Sequence, residues 1–464
     1  MFDLERIARV TGGEYSGKKM NCSLTGISTD SRNMSPGALF VPLRGEHFDG
    51  HDYLSQAVKN GAAACLSEEV IEGLSVPVVR VKNTLTALGD IAAAWRLQLN
   101  GPLVAITGSA GKTTTKEMLA GILERVAPGL KTAGNFNNLI GLPLTLLRLE
   151  KHHQWAVLEM GTSALGEIER LTEIAQPTVG VMTNIGAAHL ETLHGLDGVS
   201  RAKGELYAGL QGGVAIVNLD DERVAKLPVA NGVKKLTYGL SEQADVRAVD
   251  IAEENGKVSF NLIIAGQQQR IQLSISGRHN IPNALAAAAT AWELEVPLAD
   301  IAAGLAAFIP VPGRMGLFPL PCGGLLLDDS YNSNPLSASA ALEALTALTG
   351  QGRRLAVLGD MLELGENSAA LHQELGSKAA QVVDLLVAVG SFSGDLCQGA
   401  IGSGLAASQT VQLVNANEAI EYLQSEQRSG DRILIKGSRG MQLDKVVDAI
   451  RSADSQANRQ GRGF

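Results

Sequence analysis

Short, wholly apolar runs recur along the chain, and most are followed by a turn and a segment with helical spacing. Leu103-Val104-Ala105-Ile106-Thr107 precedes a glycine-rich turn and a helix predicted from Lys112 to Arg125. The runs Trp155-Ala156-Val157-Leu158-Glu159, Thr178-Val179-Gly180-Val181-Met182 and Val214-Ala215-Ile216-Val217 continue the rhythm. Continuous apolar runs alternating with helices predict a parallel α/β sheet buried on both faces. One stretch differs. Val258, Phe260, Leu262 and Ile264 alternate with polar residues, as do Ile271, Leu273 and Ile275, on either side of Gly266. Period-two spacing about a glycine turn predicts an antiparallel hairpin.

The same rhythm returns later, at Leu325-Leu326-Leu327, Leu355-Ala356-Val357-Leu358, Leu385-Leu386-Val387-Ala388-Val389 and Ile433-Leu434-Ile435. Pro310-Val311-Pro312-Gly313 separates this third block from the second and reads as a linker. The first block, with Ala38-Leu39-Phe40-Val41 and Val78-Val79-Arg80-Val81, is richer in turns. A helix predicted from Leu85 to Leu99 and the break at Gly101-Pro102 follow it. The expected fold is α/β in three domains, with boundaries at 1–82, 83–312 and 313–464. They are a smaller mixed N-terminal domain, a central parallel sheet with an antiparallel hairpin addition, and a Rossmann-like C-terminal domain. The polar end, Ser452 to Phe464, is expected to fray.

Composition narrows the function. A chain of 464 residues fits about three domains. A net charge of −9 disfavours general nucleic-acid binding, which needs basic clusters. Cys22, Cys65, Cys322 and Cys397 are too scattered for zinc or redox spacing, so reduced structural thiols are expected. The charged start lacks the apolar core of a signal peptide, and no apolar stretch is long enough to span a bilayer. The expectation is a cytoplasmic protein without membrane insertion.

The strongest chemical signal is Thr107-Gly108-Ser109-Ala110-Gly111-Lys112-Thr113-Thr114, between a strand and a helix. Glycines let backbone N–H groups approach phosphate oxygens, and the helix N-terminus adds positive potential. Lys112 can reach terminal phosphates and Thr113 can hold Mg2+. An ordinary glycine turn is the competing reading. The loop departs from the common G-x-x-x-x-G-K-[ST] form, because Ile106 stands where the first glycine would be. That points away from GTPases and motor-type ATPases, towards a family with the shorter loop.

Two further groups fall at the C-terminal edges of predicted strands, where open α/β sheets bind ligands. Glu159 can hold Mg2+ beside a phosphate loop. His189, in Thr183-Asn184-Ile185-Gly186-Ala187-Ala188-His189, fits a metal or phosphate role as well as a structural one. By itself Lys203 reads as a solvated helix lysine.

Together these residues resemble the Mur ligases, the ATP-dependent amide-forming enzymes of bacterial peptidoglycan synthesis. The matching pieces are Thr107 to Thr114, Glu159-Met160-Gly161, Asn184 to Glu191 and Lys203-Gly204-Glu205, with Gly277 to Asn280 and Asn283-Ala284-Leu285. Pro312-Gly313-Arg314 and Asp328 to Pro335 follow in family order. Asp30-Ser31-Arg32, Gly37 to Phe40, Gly45 and Asp49-Gly50-His51 are similar to the UDP-sugar domain of the two later ligases. Gly134 to Asn138 with Gly141-Leu142-Pro143 is similar to the last of them, which adds D-alanyl-D-alanine. The Asp-Asn-Pro-Arg motif that reads meso-diaminopimelate in some earlier ligases is absent.

The resemblance implies a set of roles. ATP would be held by the loop from Thr107 to Thr114, by Asn280 and Asn283, by Arg314 at its phosphates, and by Asp329 and Tyr331 near ribose and adenine. Thr113 and Glu159 would hold one Mg2+, and His189 with a carbamylated Lys203 a second. Lys112, His189, Lys203 and Arg314 would carry catalysis. Ser31, Arg32, Gly45, His47, Asn135 and Asn138 would meet substrate. Asn280 could instead cap its helix, and Tyr331 could simply pack. The implied partners are UDP-N-acetylmuramoyl-tripeptide and D-alanyl-D-alanine, joined by a monomer in the last cytoplasmic step of pentapeptide synthesis. The alternatives are the preceding ligase, which adds a diamino acid, a folate- or cyanophycin-type amide ligase, and a nucleotide-dependent switch. Phosphate release with and without an amine separates the last from the rest.

Overall fold

The structure, a computed structural model, describes residues 3–16, 23–254, 257–320 and 323–460, with side chains as far as Ser452. Cys22 and Cys322 lie outside these; Cys65 and Cys397 are buried free thiols. Three sheets follow one another along the chain.

The first is mixed. It runs Glu14–Ser16, Val78–Arg80, Ala64–Ser67, Leu39–Phe40, Ile27–Ser28, antiparallel only in its first pair. The helix Thr84–Arg96 follows, with the Asn83 side chain accepting from Thr86 N at 2.8 Å to cap it. It ends three residues before the apolar spacing does.

The central sheet has nine strands. From the antiparallel edge they are Gln267–Leu273, Lys257–Ile264, Val246–Glu254, Lys234–Gly239, Val214–Asn218, Val179–Met182, Leu103–Thr107, Trp155–Glu159 and Gly129–Lys131. Every residue of Leu103–Thr107, Trp155–Glu159 and Val179–Met182 is buried, as parallel strands covered on both faces require. The hairpin forms as the alternation predicts: Val258, Phe260, Leu262 and Ile264 face the core. A third antiparallel strand, Val246–Glu254, joins it to the parallel strands. Its alternation breaks where the register shifts between Val249 and Ala252, around Asp250 at φ +51°, so periodicity did not reveal it.

The third sheet runs Gly316–Pro319, Leu325–Asp329, Arg432–Lys436, Arg354–Gly359, Leu385–Val389, Thr410–Leu413, parallel apart from its first strand. The helix Asp444–Gln460 runs into the segment expected to fray, of which 461–464 lie outside the described residues. Among the described residues no helix is long and apolar enough to cross a membrane.

The topology places the site. Leu103–Thr107 lies between Val179–Met182 and Trp155–Glu159, with the chain leaving to one side and returning on the other. The turn after it therefore opens at a switch point, flanked by the ends of both neighbours.

Candidate functional site

That turn leads into the helix Lys112–Leu123. Gly108 has φ +149° and Gly111 φ +82°. A Cβ on Gly108 would overlap Thr183 Oγ1, and one on Gly111 would overlap Asn283 Oδ1, so both glycines are required by space as well as by backbone. The neighbouring strand end fixes the loop from beneath. Ser109 N donates to Asn184 O at 3.0 Å, and Ala110 N to Asn184 Oδ1 at 2.8 Å. Thr183 Oγ1 donates to Ala110 O at 2.6 Å.

Lys112 Nζ donates to Gly108 O at 2.7 Å, so its ammonium is curled over its own loop. Burial pushes its pKa below the ordinary lysine value; Glu159 opposes this and Arg314 adds to it. Thr113 Oγ1 donates to Glu159 Oε2 at 2.9 Å. The other carboxylate oxygen accepts from Asn137 Nδ2 at 2.8 Å. Thr132 Oγ1 accepts from Glu159 N at 2.9 Å and holds the strand end in place. A buried carboxylate beside a hydroxyl, both at a phosphate loop, is a hard-oxygen donor pair suited to Mg2+.

The C-terminal block closes over this loop. Arg314 Nη2 donates to Thr113 Oγ1 at 3.3 Å, and Asn334 Nδ2 donates to Ser109 O at 3.2 Å. Asn334 also caps the helix Pro335–Ala347 with a full capping box. The tract at Pro310 to Gly313 does more than link, since Gly313 N donates to Asp328 Oδ2 at 3.0 Å and Gly313 O accepts from Tyr331 N at 3.1 Å. The Arg314 guanidinium lies 4.2 Å from the Tyr331 ring centroid, and Arg439 lies 5.4 Å from it. Asp329 and Lys436 form a buried ion pair at 2.5 Å.

A cleft of about 820 Å³ collects these groups. Of the residues singled out in the sequence, Ser109 to Thr114, Asn135, Asn138, Glu159, His189, Asn280, Asn283, Arg314, Asp329 and Tyr331 line it. Thr107 is buried beneath, its hydroxyl donating to Met160 O at 2.9 Å. Asn280 and Asn283 are the first and fourth residues of the helix Asn280–Glu293 and bond each other, Asn283 Nδ2 donating to Asn280 Oδ1 at 3.0 Å. Asn138 accepts from Gly141 N at 2.8 Å and so opens the helix Gly141–Leu146.

Lys203 is not among the residues that line the cleft. It is 2% exposed, and among the described residues its amine makes no hydrogen bond or ion pair. Burial first, then Lys112, push its pKa well below the ordinary lysine value, against the pull of Glu159. Ser31, Arg32, Gly45 and His47 lie apart from the cleft, in the first block. Ser31 is buried, whereas Arg32 is exposed and pairs with Asp30 at 2.9 Å. Gly45 packs beneath the Phe48 ring.

Sequence reading missed Asn137, Asn334, His279, Glu363 and Lys436, all of which line the cleft. Lys436 had a signal: it ends an apolar strand run, the same placement that marked Glu159. Asn137 sat inside a segment already singled out. Glu363 had none, because a helix and strand from another block bring it in.

Family models cover most of the chain. The Mur ligase family catalytic domain matches residues 23–96, the Mur ligase middle domain 106–291, and the Mur ligase glutamate ligase domain 313–439. The chain belongs to the Mur ligase family. This Mur ligase is 38% identical to the UDP-N-acetylmuramoyl-tripeptide--D-alanyl-D-alanine ligase of Escherichia coli, over 96% of this chain and 98% of the relative. It is 35% identical to the enzyme of the same name in Bacillus subtilis, over 92% and 93%. Among solved structures it is similar to MurF from Acinetobacter baumannii, with a TM-score of 0.89, 35% identity and 97% and 99% of the two chains covered. The MurF ligase from Thermotoga maritima in complex with ADP gives a TM-score of 0.81 at 28% identity, over 92% and 97%. Members of the family are ATP-dependent ligases. The expected α/β fold in three domains and the enzyme class therefore hold.

Proposed function

We propose that this Mur ligase joins D-alanyl-D-alanine to UDP-N-acetylmuramoyl-tripeptide at the expense of ATP. The observation that carries the reading is likeness over nearly the whole chain to ligases named for those substrates. The terminal carboxylate of the tripeptide attacks the γ-phosphate and ADP leaves. The dipeptide amine attacks the resulting acyl phosphate, and the tetrahedral intermediate expels phosphate.

The chain's own residues position groups and neutralise charge; no covalent enzyme intermediate is needed. Backbone N–H groups from Gly111 to Thr114, at the helix start, receive the phosphates, with Lys112 and Arg314 meeting the charge that develops on transfer. Asn280, Asn283, Asp329 and Tyr331 would surround the rest of the nucleotide. Thr113 and Glu159 would hold one Mg2+, and His189 with Lys203 a second. The metal ions, when bound, supply Lewis-acid neutralisation of the phosphate oxygens. Carbamylation needs the neutral amine, and burial of Lys203, which lowers its pKa, supports that modification. Ser31, Arg32, Gly45 and His47 would take the UDP end, and Asn135 and Asn138 the substrate nearer the cleft.

In this reading 1–82 is the UDP-sugar domain, 83–312 the ATP domain, and 313–464 supplies the amine site and part of the ATP site. Both ATP and a UDP-linked precursor belong to the cytoplasm, where we place the enzyme. The test is phosphate release across a panel of UDP-linked peptides and amines. D-Alanyl-D-alanine with the tripeptide should be fastest. Faster turnover of a single diamino acid with the dipeptide precursor would reassign the chain to the preceding ligase.

A further inference from the structure

Glu363 reaches the central sheet's edge from the C-terminal block. It follows the strand Arg354–Gly359, and the stretch before it is tied down on every side. Asp360 accepts from Ser391 N at 2.8 Å and from Phe392 N at 3.0 Å. Met361 N donates to His372 Nε2 at 2.8 Å, and Leu362 N donates to Ser438 Oγ at 2.9 Å. His372 is wholly buried, with Nδ1 2.6 Å from Ser368 O, an arrangement that places its proton on Nδ1. From this anchored stretch Glu363 emerges at φ +65°.

His189 faces it. It lies between the strand Val179–Met182 and the short helix Leu190–Leu193, at φ +52°. Its Nδ1 is buried and sits 2.5 Å from Glu363 Oε2 in an ion-pair contact, but no group, Glu363 included, meets it in hydrogen-bond geometry. Glu191 N reaches Glu363 O at 3.4 Å, a second contact across the same boundary. Two non-glycine residues in the left-handed region, one on each side of a domain boundary, meet in a single contact. An incidental surface ion pair would not call for both strained backbones and an anchored loop.

We infer that Glu363 is a positioning residue for the second metal site: it holds the Nδ1 side of His189 and leaves Nε2 free to bind the ion. The inference rests on the proposed reading of His189 as a ligand. A metal-binding imidazole usually gives its other nitrogen to a carboxylate or carbonyl, which fixes the tautomer and the ring plane. Here that carboxylate comes from a different domain than the imidazole. The second site is therefore complete only when the C-terminal block is docked, which ties metal binding to closure of the ligase.

The experiment is a Mn2+ titration of the full chain with ADP present, read by the loss of the free-ion paramagnetic resonance signal. Glu363→Ala should weaken the second, weaker Mn2+ by about 10- to 100-fold and leave the first unchanged. Glu363→Gln, which still offers an acceptor to Nδ1–H, should recover part of the loss. His189→Gln is the reference. If it weakens the second ion while Glu363→Ala binds like wild type, the inference is overturned and the ligand reading stands. If His189→Gln itself binds both ions normally, the ligand reading fails and takes the inference with it.

Discussion

The buried pair Asp329–Lys436 gives the sharpest test of how the cleft is built. Lys436 is 1% exposed and Asp329 8%. Lys436 Nζ donates to Asp329 Oδ2 at 2.5 Å and to Asn332 O at 2.8 Å. Burial raises the Asp329 pKa and lowers that of Lys436, and in each case it outweighs the attraction of the partner. The pair is therefore costly to desolvate, and breaking it from one side is worse than removing it. Lys436→Met should leave a buried carboxylate and an unpaired Asn332 carbonyl, and cost about 3–5 kcal/mol. At ~1.4 kcal/mol per tenfold, that is between about two and three and a half powers of ten in the folding equilibrium. Adding Asp329→Asn removes the stranded charge, so the double variant should regain at least ~1.5 kcal/mol. Urea unfolding of the two singles and the double, followed by circular dichroism, measures both figures. A Lys436→Met cost under ~1 kcal/mol, or a double variant equal to the sum of the singles, would refute the argument that the charges depend on each other.

Three further outcomes are expected. Lys112→Ala should leave the fold intact and lower turnover by about 10²- to 10³-fold, because one charged donor at the transferring phosphate is lost; steady-state phosphate release checks it, and near-wild-type turnover counts against the phosphate-loop assignment. Lys203→Ala should lose most activity and regain some with acetate, whereas Lys203→Arg should stay inactive; intact mass of the CO2-equilibrated wild type should show the carbamate, and an active Arg variant would mean a plain cation suffices. His279 is held neutral by burial and by Lys436, its pKa pushed down to about 4. Its share of stability is thus present above the ordinary histidine value and lost as pH falls from ~6.5 towards 4, by at most about 3 kcal/mol. His279→Gln should flatten that part of the stability–pH curve, and an unchanged slope would exclude His279 as its source.

Much of this molecule could be read before any coordinates. Apolar runs wholly buried in the structure, such as Leu103–Thr107 and Leu385–Val389, had announced parallel strands, because a strand covered on both faces has no polar side to show. The loop from Thr107 to Thr114 stood out for a local reason: the glycines, the lysine and the helix start lie within eight consecutive residues. The place of Glu159 at a strand's C-terminal end was legible because the apolar run before it marks that end. What tertiary structure decided is which distant residues share that edge. Arg314, Asn334 and Lys436 come from the third block, and Glu363 comes from a loop anchored by His372 and Ser438. Nothing in the local spacing of those residues encodes their partners, since sheet order and domain docking bring them together across 100 residues or more of chain. Lys203 shows the same division most plainly. Its sequence neighbours suggest a solvated helix lysine, and only the packed structure buries it and lowers its pKa below the ordinary lysine value.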